Sequence, residues 1–264
     1  MRLILVQNQA VWLNAAASLR AVEDLLQPYV KENDQSLTEK TCVVLPEMFA
    51  SGFVVDLSDS STRDQLSLDQ DTVLQWMKDF STREGIWIAG SIPYEDRGTW
   101  TNRLILVGNG SVYGYDKRHL FALAGENEWY KAGNERKMVD LDGWKVLLSV
   151  CYDLRFPVWL RQKGDYQCLF CVANWPQARA TAWRALLVAR AIENQCYVVG
   201  VNRVGHDFYG IYYAGGSMVV GPDGAVLLEM NEQEGVGTCT IEADWLQKYR
   251  RAYPFWKDAD AFTF

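Results

Sequence analysis

A buried strand that ends directly at a cysteine is the feature that most constrains this chain. The apolar run from Val146 to Val150 predicts a strand covered on both faces, and Cys151 follows it at once. Pro157 then suits the first turn of a helix, because its missing N–H costs nothing there. Cys151 is therefore expected on a sharp turn at the carboxyl end of a strand, where layered α/β proteins tend to place reaction sites. The ordinary alternative is a structural thiol, since free cysteine is among the most buried residue types.

Length and charge limit the class of protein. The chain has 264 residues, enough to bury a large core, and we predict one domain over residues 1–264. Its formal net charge of -7 argues against nucleic acid as a partner but does not forbid an anionic substrate. The apolar run from Leu3 to Val6 is too short for a signal peptide or a membrane span. We therefore expect a soluble cytoplasmic protein with no membrane partner.

The cysteines indicate neither a disulfide framework nor a metal site. Six cysteines in a chain of this length are expected to be reduced thiols. Cys168 and Cys171 form a C-x-x-C, but they lie in an apolar run that predicts a strand, where residues three apart point to opposite faces. The chain has no second C-x-x-C and only two histidines. No metal site is expected.

Apolar runs and turn residues predict many strands and about five helices. Strands are predicted over residues 2–9, 41–45, 86–91, 103–107, 111–115, 144–150, 168–172, 197–201, 217–220, 225–229 and 238–241. Helices are predicted over 15–27, with Asn14 as the cap, over 72–82 and over 181–194. Polar or aperiodic stretches predict loops over 31–40, 56–71 and 121–137, and long loops in compact domains often carry function.

The helix predicted over residues 181–194 bears on assembly. It is apolar on most of its sides, and a helix of that kind is usually buried. A sheet can cover only one side of it. We therefore expect a second subunit on the other side, in a homodimer or a higher homo-oligomer.

Three polar residues each follow a predicted strand: Glu47, Lys117 and Cys151. Taken singly, a glutamate after Leu-Pro is most often a solvated loop residue, and a lysine within Asp-Lys-Arg is most often surface charge. Together they meet a need of nucleophilic catalysis, because a thiol with a pKa near 8.5 must be activated. A carboxylate can accept its proton, and an ammonium can stabilise the thiolate and later the oxyanion.

The stretches around these residues resemble the nitrilase superfamily of carbon–nitrogen hydrolases, and the resemblance covers nearly the whole chain. The matching stretches are Leu45–Phe49, Tyr115–Phe121, Val150–Pro157 and the helical Ala189–Asn194. The resemblance implies an α/β fold, the four-layer αββα sandwich of the nitrilase type, commonly dimeric or further assembled. It also implies a Glu–Lys–Cys catalytic triad, which here is Glu47, Lys117 and Cys151.

The family also has a second active-site glutamate in the loop after the lysine. Glu126 and Glu128 both stand in that loop, and counting back from the turn at Gly133-Asn134 favours Glu126. The resemblance gives this residue the role of hydrogen-bonding Lys117 and orienting the substrate amide.

Among the branches of the family, the resemblance is strongest to omega-amidases. The stretches that carry it are Asp116–Phe121, Tyr130–Asn134 and Ala173–Pro176. That group hydrolyses the terminal amide of short dicarboxylate monoamides such as 2-oxoglutaramate and succinamate, through a cysteine thioester and without a metal or organic cofactor. The partners expected for this chain are therefore a small-molecule amide and water.

Three further residues are expected to bind substrate. The backbone N–H of Tyr152 would join Lys117 at the oxyanion. The Arg155 guanidinium, four residues after Cys151, suits the distal carboxylate of a short substrate because its planar fork donates two parallel hydrogen bonds. Trp175 would form a wall of the pocket. The ordinary alternative for Arg155 is a structural ion pair.

Other functions remain open on the sequence. One is another amidase or an N-carbamoyl hydrolase of the same superfamily. A second is a Cys–His amide hydrolase with His119 or His206 as the base. A glutaminase-type turn would have small residues beside the cysteine, whereas Val150 and Tyr152 flank it here. A third is a non-enzymatic interaction module on the same scaffold.

Overall fold

The computed structural model describes residues 1–30, 40–260 and 263, so the loop predicted over 31–40 lies almost wholly outside the described residues. The strands of the described part are β1 (Arg2–Gln7), β2 (Thr41–Val44), β3 (Trp87–Asp96), β4 (Thr99–Gly108), β5 (Ser111–Asp116), β6 (Met138–Leu141), β7 (Trp144–Val150), β8 (Cys168–Ala173), β9 (Tyr197–Asn202), β10 (Val204–His206), β11 (Tyr212–Ala214), β12 (Met218–Val220), β13 (Val226–Glu229) and β14 (Gly235–Thr240).

Helices separate many of these strands. The α-helices are α1 (Ala15–Val30), α2 (Ser60–Glu84), α3 (Glu126–Trp129), α4 (Pro157–Leu160), α5 (Ala180–Asn194) and α6 (Ala243–Ala252). Short 3₁₀ helices cover Ala122–Ala124, Cys151–Arg155, Gln177–Arg179 and Phe255–Asp258. None of the helices in the described ranges is both long and apolar enough to cross a bilayer.

Two six-stranded mixed sheets form the centre of the fold. The first has the order β14-β1-β2-β3-β4-β5, and the second has the order β13-β12-β9-β8-β7-β6. The strands β1, β2 and β3 are parallel, while β4 and β5 each run antiparallel to the preceding strand, so β5 points the same way as β2. The carboxyl ends of β2 and β5 therefore meet at one edge of the first sheet.

Alternation along β1 shows how the layers form. Leu3 and Leu5 belong to the core shared with the second sheet, whereas Ile4 and Val6 pack with the buried face of α1 and α2. Successive side chains of a strand point to opposite faces, so one strand supplies both cores. Helix α5 covers the other face of the second sheet, where Leu187 fits against Gly200. The αββα sandwich implied by the resemblance is confirmed.

The outer side of α5 is partly exposed in the single chain. Ile192 is 52% exposed in the single chain, while Leu187 is fully buried against the sheet. The sheet thus covers one side of α5, and the other side is exposed in the single chain. The expected contact of this side with a second subunit stays a prediction.

The loop predicted over residues 56–71 is wrong for most of its length, because α2 begins at Ser60 rather than at Thr72. The Asp59 carboxylate accepts hydrogen bonds from the backbone N–H groups of Ser61 and Thr62, which caps the helix. Leu66 is buried and anchors the first turns. Serine and aspartate favour loops in composition, but they also favour the start of a helix.

Several shorter elements were not predicted. They are β6, β10, β11 and α6, and the stretch predicted as a loop over 121–137 contains one 3₁₀ turn and α3. Helix α1 also runs past the predicted end at Gln27 and includes Pro28 near its last turn. The strands among these pieces are only three or four residues long, too short for a clear alternation, and α6 buries a single residue, Leu246.

The end of β5 is held by a close backbone contact. The N–H of Lys117 donates to the Asn102 carbonyl, and the N–H of Gly133 donates to the Lys117 carbonyl, both at 2.9 Å. A Cβ atom on Gly133 would lie 2.2 Å from the carbonyl oxygen of Asp116, a backbone atom that cannot move away freely. Gly133 is therefore required for the loop to close on the strand.

We expect Gly133→Ala to lower the free energy of unfolding by about 1–3 kcal/mol, the usual cost of an overpacked contact. Urea denaturation measures this cost. Gly235→Ala is the matched control, because a Cβ there has no neighbour within 4 Å. Equal midpoints for the two variants would show that the loop does not depend on this contact.

Candidate active site

Glu47 lies just beyond β2 at the edge where the two sheets meet, and its side chain is fully buried. The next residue, Met48, has a left-handed backbone with φ 47°, so the chain turns sharply after the glutamate. The N–H of Met48 donates to Ser91 Oγ at 2.9 Å, which fixes this turn against β3. The backbone at Glu47 is thus fixed independently of the contacts that its carboxylate makes.

Lys117 follows β5 and has a fully buried ammonium between two carboxylates. Its Nζ lies 2.9 Å from Glu47 Oε1, and 2.8 and 3.1 Å from the two oxygens of Glu126. Burial alone would lower the pKa of Lys117, but the Glu126 and Glu47 carboxylates outweigh it and raise that pKa well above its usual value. The lysine is therefore a permanent cation.

Asn102, on β4, completes this cluster and was missed by the sequence reasoning. Its Nδ2 donates to Glu47 Oε1 at 2.7 Å and to Glu126 Oε1 at 2.9 Å. Its Oδ1 accepts a hydrogen bond from Ser91 Oγ at 2.9 Å. The Asn102 amide thus donates to both carboxylates that flank the Lys117 ammonium. A lone asparagine within a strand carries no sequence signal for such a role.

Of the two candidate glutamates in the loop, Glu126 is the one beside Lys117. It is fully buried, and its Oε2 also accepts the backbone N–H of Phe121 at 2.6 Å. Glu128 is exposed on the other side of α3.

Cys151 comes from the second sheet, at the junction between β7 and its 3₁₀ turn. It has a left-handed backbone with φ 46°, which is uncommon for a residue with a side chain and is found at functional turns. Its Sγ lies 3.7 Å from the carbonyl oxygen of Asn174, whose N–H donates to Glu47 Oε2 at 2.7 Å. The backbone of Asn174 therefore contacts both the thiol and the carboxylate.

The electrostatic setting of Cys151 disfavours the thiolate. Burial raises the pKa of Cys151 well above its usual value, the Glu47 carboxylate raises it further, and the Lys117 ammonium opposes both. A thiol in this setting needs a base when it reacts, because thiolate is scarce at neutral pH. Glu47 is the carboxylate that the Asn174 backbone links to the thiol.

The two histidines are engaged elsewhere. His119 Nδ1 lies 2.8 Å from Asp153 Oδ1, and its ring stacks on Phe156 with centroids 3.7 Å apart. His206 is exposed and packs on Tyr212. Asp153 also accepts the N–H of Val150, so it holds the turn that carries Cys151. Asp153 was not singled out from the sequence.

A small pocket opens beside the thiol, with a volume of about 60 Å³. One water needs about 10–15 Å³ of such volume, so the pocket admits only a short ligand. The predicted residues Tyr152, Arg155 and Trp175 all line it, as does Cys151. Arg179 lines it too and was not predicted.

Arg155 is not in the structural ion pair considered as its ordinary role. Its guanidinium lies over the Trp175 ring, 4.9 Å from the centroid, and makes no hydrogen bond or ion pair with any residue that the structure describes. The N–H of Tyr152 lies in the first turn of a 3₁₀ helix, where backbone N–H groups lack acceptors within the helix. Both groups are suited to meet negative charge.

No cluster of three or more metal-binding side chains exists among the residues with described placement. Cys168 and Cys171 are both fully buried within β8. The Glu47 and Glu126 carboxylates, whose oxygens could otherwise bind a metal, already accept hydrogen bonds from Lys117 Nζ and Asn102 Nδ2.

An αββα sandwich with a cysteine, a lysine and a glutamate gathered beside one pocket is the arrangement expected of carbon–nitrogen hydrolases. The model of the family described as carbon-nitrogen hydrolase matches residues 4–251, and the chain belongs to this family. The chain is thus a carbon–nitrogen hydrolase, as its resemblance to the nitrilase superfamily implied.

Curated relatives narrow the comparison. The chain is 42% identical over 267 residues to the omega-amidase YafV of Escherichia coli strain K12, covering 99% of this chain and 98% of the relative. It is 34% identical over 224 residues to a 2-oxoglutaramate amidase of Bacillus subtilis strain 168, covering 82% of this chain and 83% of the relative.

Solved structures agree with the fold. A carbon–nitrogen hydrolase superfamily protein from Xanthomonas campestris, with an arsenic adduct in its active site, has a TM-score of 0.88 and 37% identity, covering 100% of this chain and 98% of that one. A mutant amidase from Nesterenkonia sp. AN1 has a TM-score of 0.80 and 26% identity, covering 97% and 99%. That amidase carries acrylamide added to its active-site cysteine.

We expect Lys117→Met to move the pH dependence of Cys151 alkylation upwards by about one unit or more, since a nearby opposite charge shifts a pKa by that amount. Lys117 lowers the pKa of the thiol, so its loss leaves less thiolate at any given pH. Iodoacetamide labelling between neutral and alkaline pH measures the shift. Lys145→Met, on the exposed face of β7, is the control. Superimposable profiles for Lys117→Met and the parent would contradict this electrostatic coupling.

Proposed function

We propose that this protein is an omega-amidase, which releases ammonia from the terminal amide of short dicarboxylate monoamides such as 2-oxoglutaramate and succinamate. The observation that carries the proposal is the buried cluster of Glu47, Lys117 and Cys151 beside a small pocket that also presents the Arg155 guanidinium. The omega-amidase and 2-oxoglutaramate amidase relatives support the same substrate class.

In the first half of the proposed reaction, Cys151 is acylated. Glu47 accepts the thiol proton as sulfur attacks the amide carbon, and the carbonyl oxygen becomes an oxyanion. The Lys117 ammonium and the N–H of Tyr152 stabilise that charge. Glu47 then returns the proton to the nitrogen, the C–N bond breaks, and ammonia leaves a thioester on Cys151.

In the second half, water replaces ammonia. Glu47 takes a proton from the water as its oxygen attacks the thioester carbon, and the same two donors stabilise the second oxyanion. The C–S bond breaks, Glu47 returns the proton to the sulfur, and the new carboxylic acid gives its proton to solvent as the dicarboxylate leaves. Glu126 is proposed to hold Lys117 and to orient the substrate amide, because it contacts the ammonium through both oxygens.

The distal end of the substrate is proposed to meet Arg155. The guanidinium lies in the same pocket as the thiol and lacks a protein counter-ion within the described residues. Its position over Trp175 leaves the edge of its planar fork for a carboxylate. A short substrate then places its distal carboxylate at Arg155 and its amide carbon beside Cys151 Sγ, since both residues line the same small pocket.

We also propose a homo-oligomer in the cytoplasm. The exposed Ile192 on the outer side of α5 supports an interface there. All six cysteines are free thiols, as expected of a reducing compartment.

The direct test is ammonia release from a panel of 2-oxoglutaramate, succinamate, N-carbamoyl amino acids and neutral short amides. We expect the two dicarboxylate monoamides to react fastest. Cys151→Ala should lower their turnover by about a thousandfold or more, since a nucleophile acts as part of a unit with its base. Cys168→Ala, a buried cysteine within β8, should keep full turnover. Turnover within tenfold of the parent in Cys151→Ala would end the proposal.

Arg155→Lys should weaken turnover of charged amides selectively. Loss of a buried charged hydrogen bond costs about 2–5 kcal/mol, so kcat/KM for succinamate should fall at least about thirtyfold. Butyramide has a methyl group in place of the carboxylate, and its kcat/KM should fall far less. An equal loss on both substrates would mean that Arg155 supports the turn and does not read the carboxylate.

A further inference from the structure

A second guanidinium faces the pocket, from a different element. Arg179 ends the 3₁₀ turn before α5 and lies with its guanidinium 5.2 Å from the centroid of the Phe121 ring, another wall of the pocket. Like that of Arg155, this guanidinium makes no hydrogen bond or ion pair with the residues that the structure describes. It also does not cap α5. Only the backbone of Arg179 takes part in hydrogen bonds within the described structure.

Trp175 links the two arginines. Its ring carries the guanidinium of Arg155, and its Nε1 donates to the backbone carbonyl of Arg179 at 2.9 Å. The N–H of Trp175 in turn donates to the buried Asn202 Oδ1 at 2.8 Å, so the tryptophan itself is fixed. One rigid residue therefore contacts the guanidinium of Arg155 and holds the backbone of Arg179 at the pocket.

The formal charges beside the thiol favour a second cation. Glu47, Glu126 and Asp153 contribute −1 each and Lys117 contributes +1, which leaves −2. Arg155 alone leaves −1, and Arg155 with Arg179 brings the sum to zero. A dicarboxylate monoamide carries −1, so each arginine lowers the repulsion that such a ligand meets on entering the pocket.

We infer that Arg179 is a second anion-binding residue, which clamps the distal carboxylate of the substrate together with Arg155. The inference rests on the proposed function for the identity of the ligand. The two guanidinium groups come from different elements, and a carboxylate has about four lone-pair sites, enough for both forks. The clamp makes the site selective for amides with a terminal carboxylate.

Binding of succinamate to Cys151→Ala tests the inference without turnover. We expect Arg179→Met in that background to raise the Kd about tenfold or more, the usual effect of losing a hydrogen bond to a charged group. Arg179→Lys should recover part of the affinity, because it restores the charge but not the fork. Arg184→Met is the control, since Arg184 is exposed and paired with Glu229. An unchanged Kd in Arg179→Met would overturn the inference.

Kinetics separate this inference from the proposed function. If the enzyme with Cys151 intact hydrolyses succinamate and Arg179→Met lowers kcat/KM equally for succinamate and butyramide, the clamp is refuted and the proposed function stands. If it releases no ammonia from succinamate while Arg179→Met still weakens succinamate binding, the proposed function fails and the anion clamp stands. A selective loss on succinamate supports both.

Discussion

The rest of the site depends on one buried cation, the ammonium of Lys117. Moving such a charge out of water costs several kcal/mol, and removing one partner of a buried pair typically costs about 3–5 kcal/mol. Two carboxylates offset that cost by accepting hydrogen bonds from the ammonium at 2.8–3.1 Å. The Asn102 amide in turn donates to both carboxylates. The lysine thereby fixes Glu47, the proposed base, and leaves Glu47 Oε2 for the Asn174 N–H.

The two sheets must pack together before this site exists. Glu47 and Lys117 follow β2 and β5 of the first sheet, and these strands point the same way, so the two residues lie at the same end of that sheet. Cys151 follows β7 of the second sheet. Asn174, just past β8, joins them: its N–H binds the carboxylate and its carbonyl lies near the thiol. The site therefore depends on the packing of the sandwich core: strand ends position Glu47, Lys117 and Cys151, and the short helix α3 adds Glu126.

Strand ends are also why part of the site could be predicted from the sequence. An apolar run followed directly by Glu47 or Cys151 marks the position of a polar residue at a sheet edge, and the family resemblance supplied the roles. Asn102 could not be found in this way, because its contacts depend on the register between β3 and β4 and on the distant Glu126. Arg179 lies in a short turn with no sequence pattern that marks its position. The early start of α2 could not be predicted because a serine-rich composition favours both loops and helix caps.

The central claim is that amide hydrolysis passes through a thioester on Cys151. Acid quenching of the enzyme during steady-state turnover of succinamate, followed by peptide mass spectrometry, tests it most directly. A succinyl group is expected on the peptide that contains Cys151, labile to hydroxylamine and present only while substrate remains. Steady ammonia release with no acyl group on Cys151, while added hydroxylamine yields no hydroxamate, would contradict it.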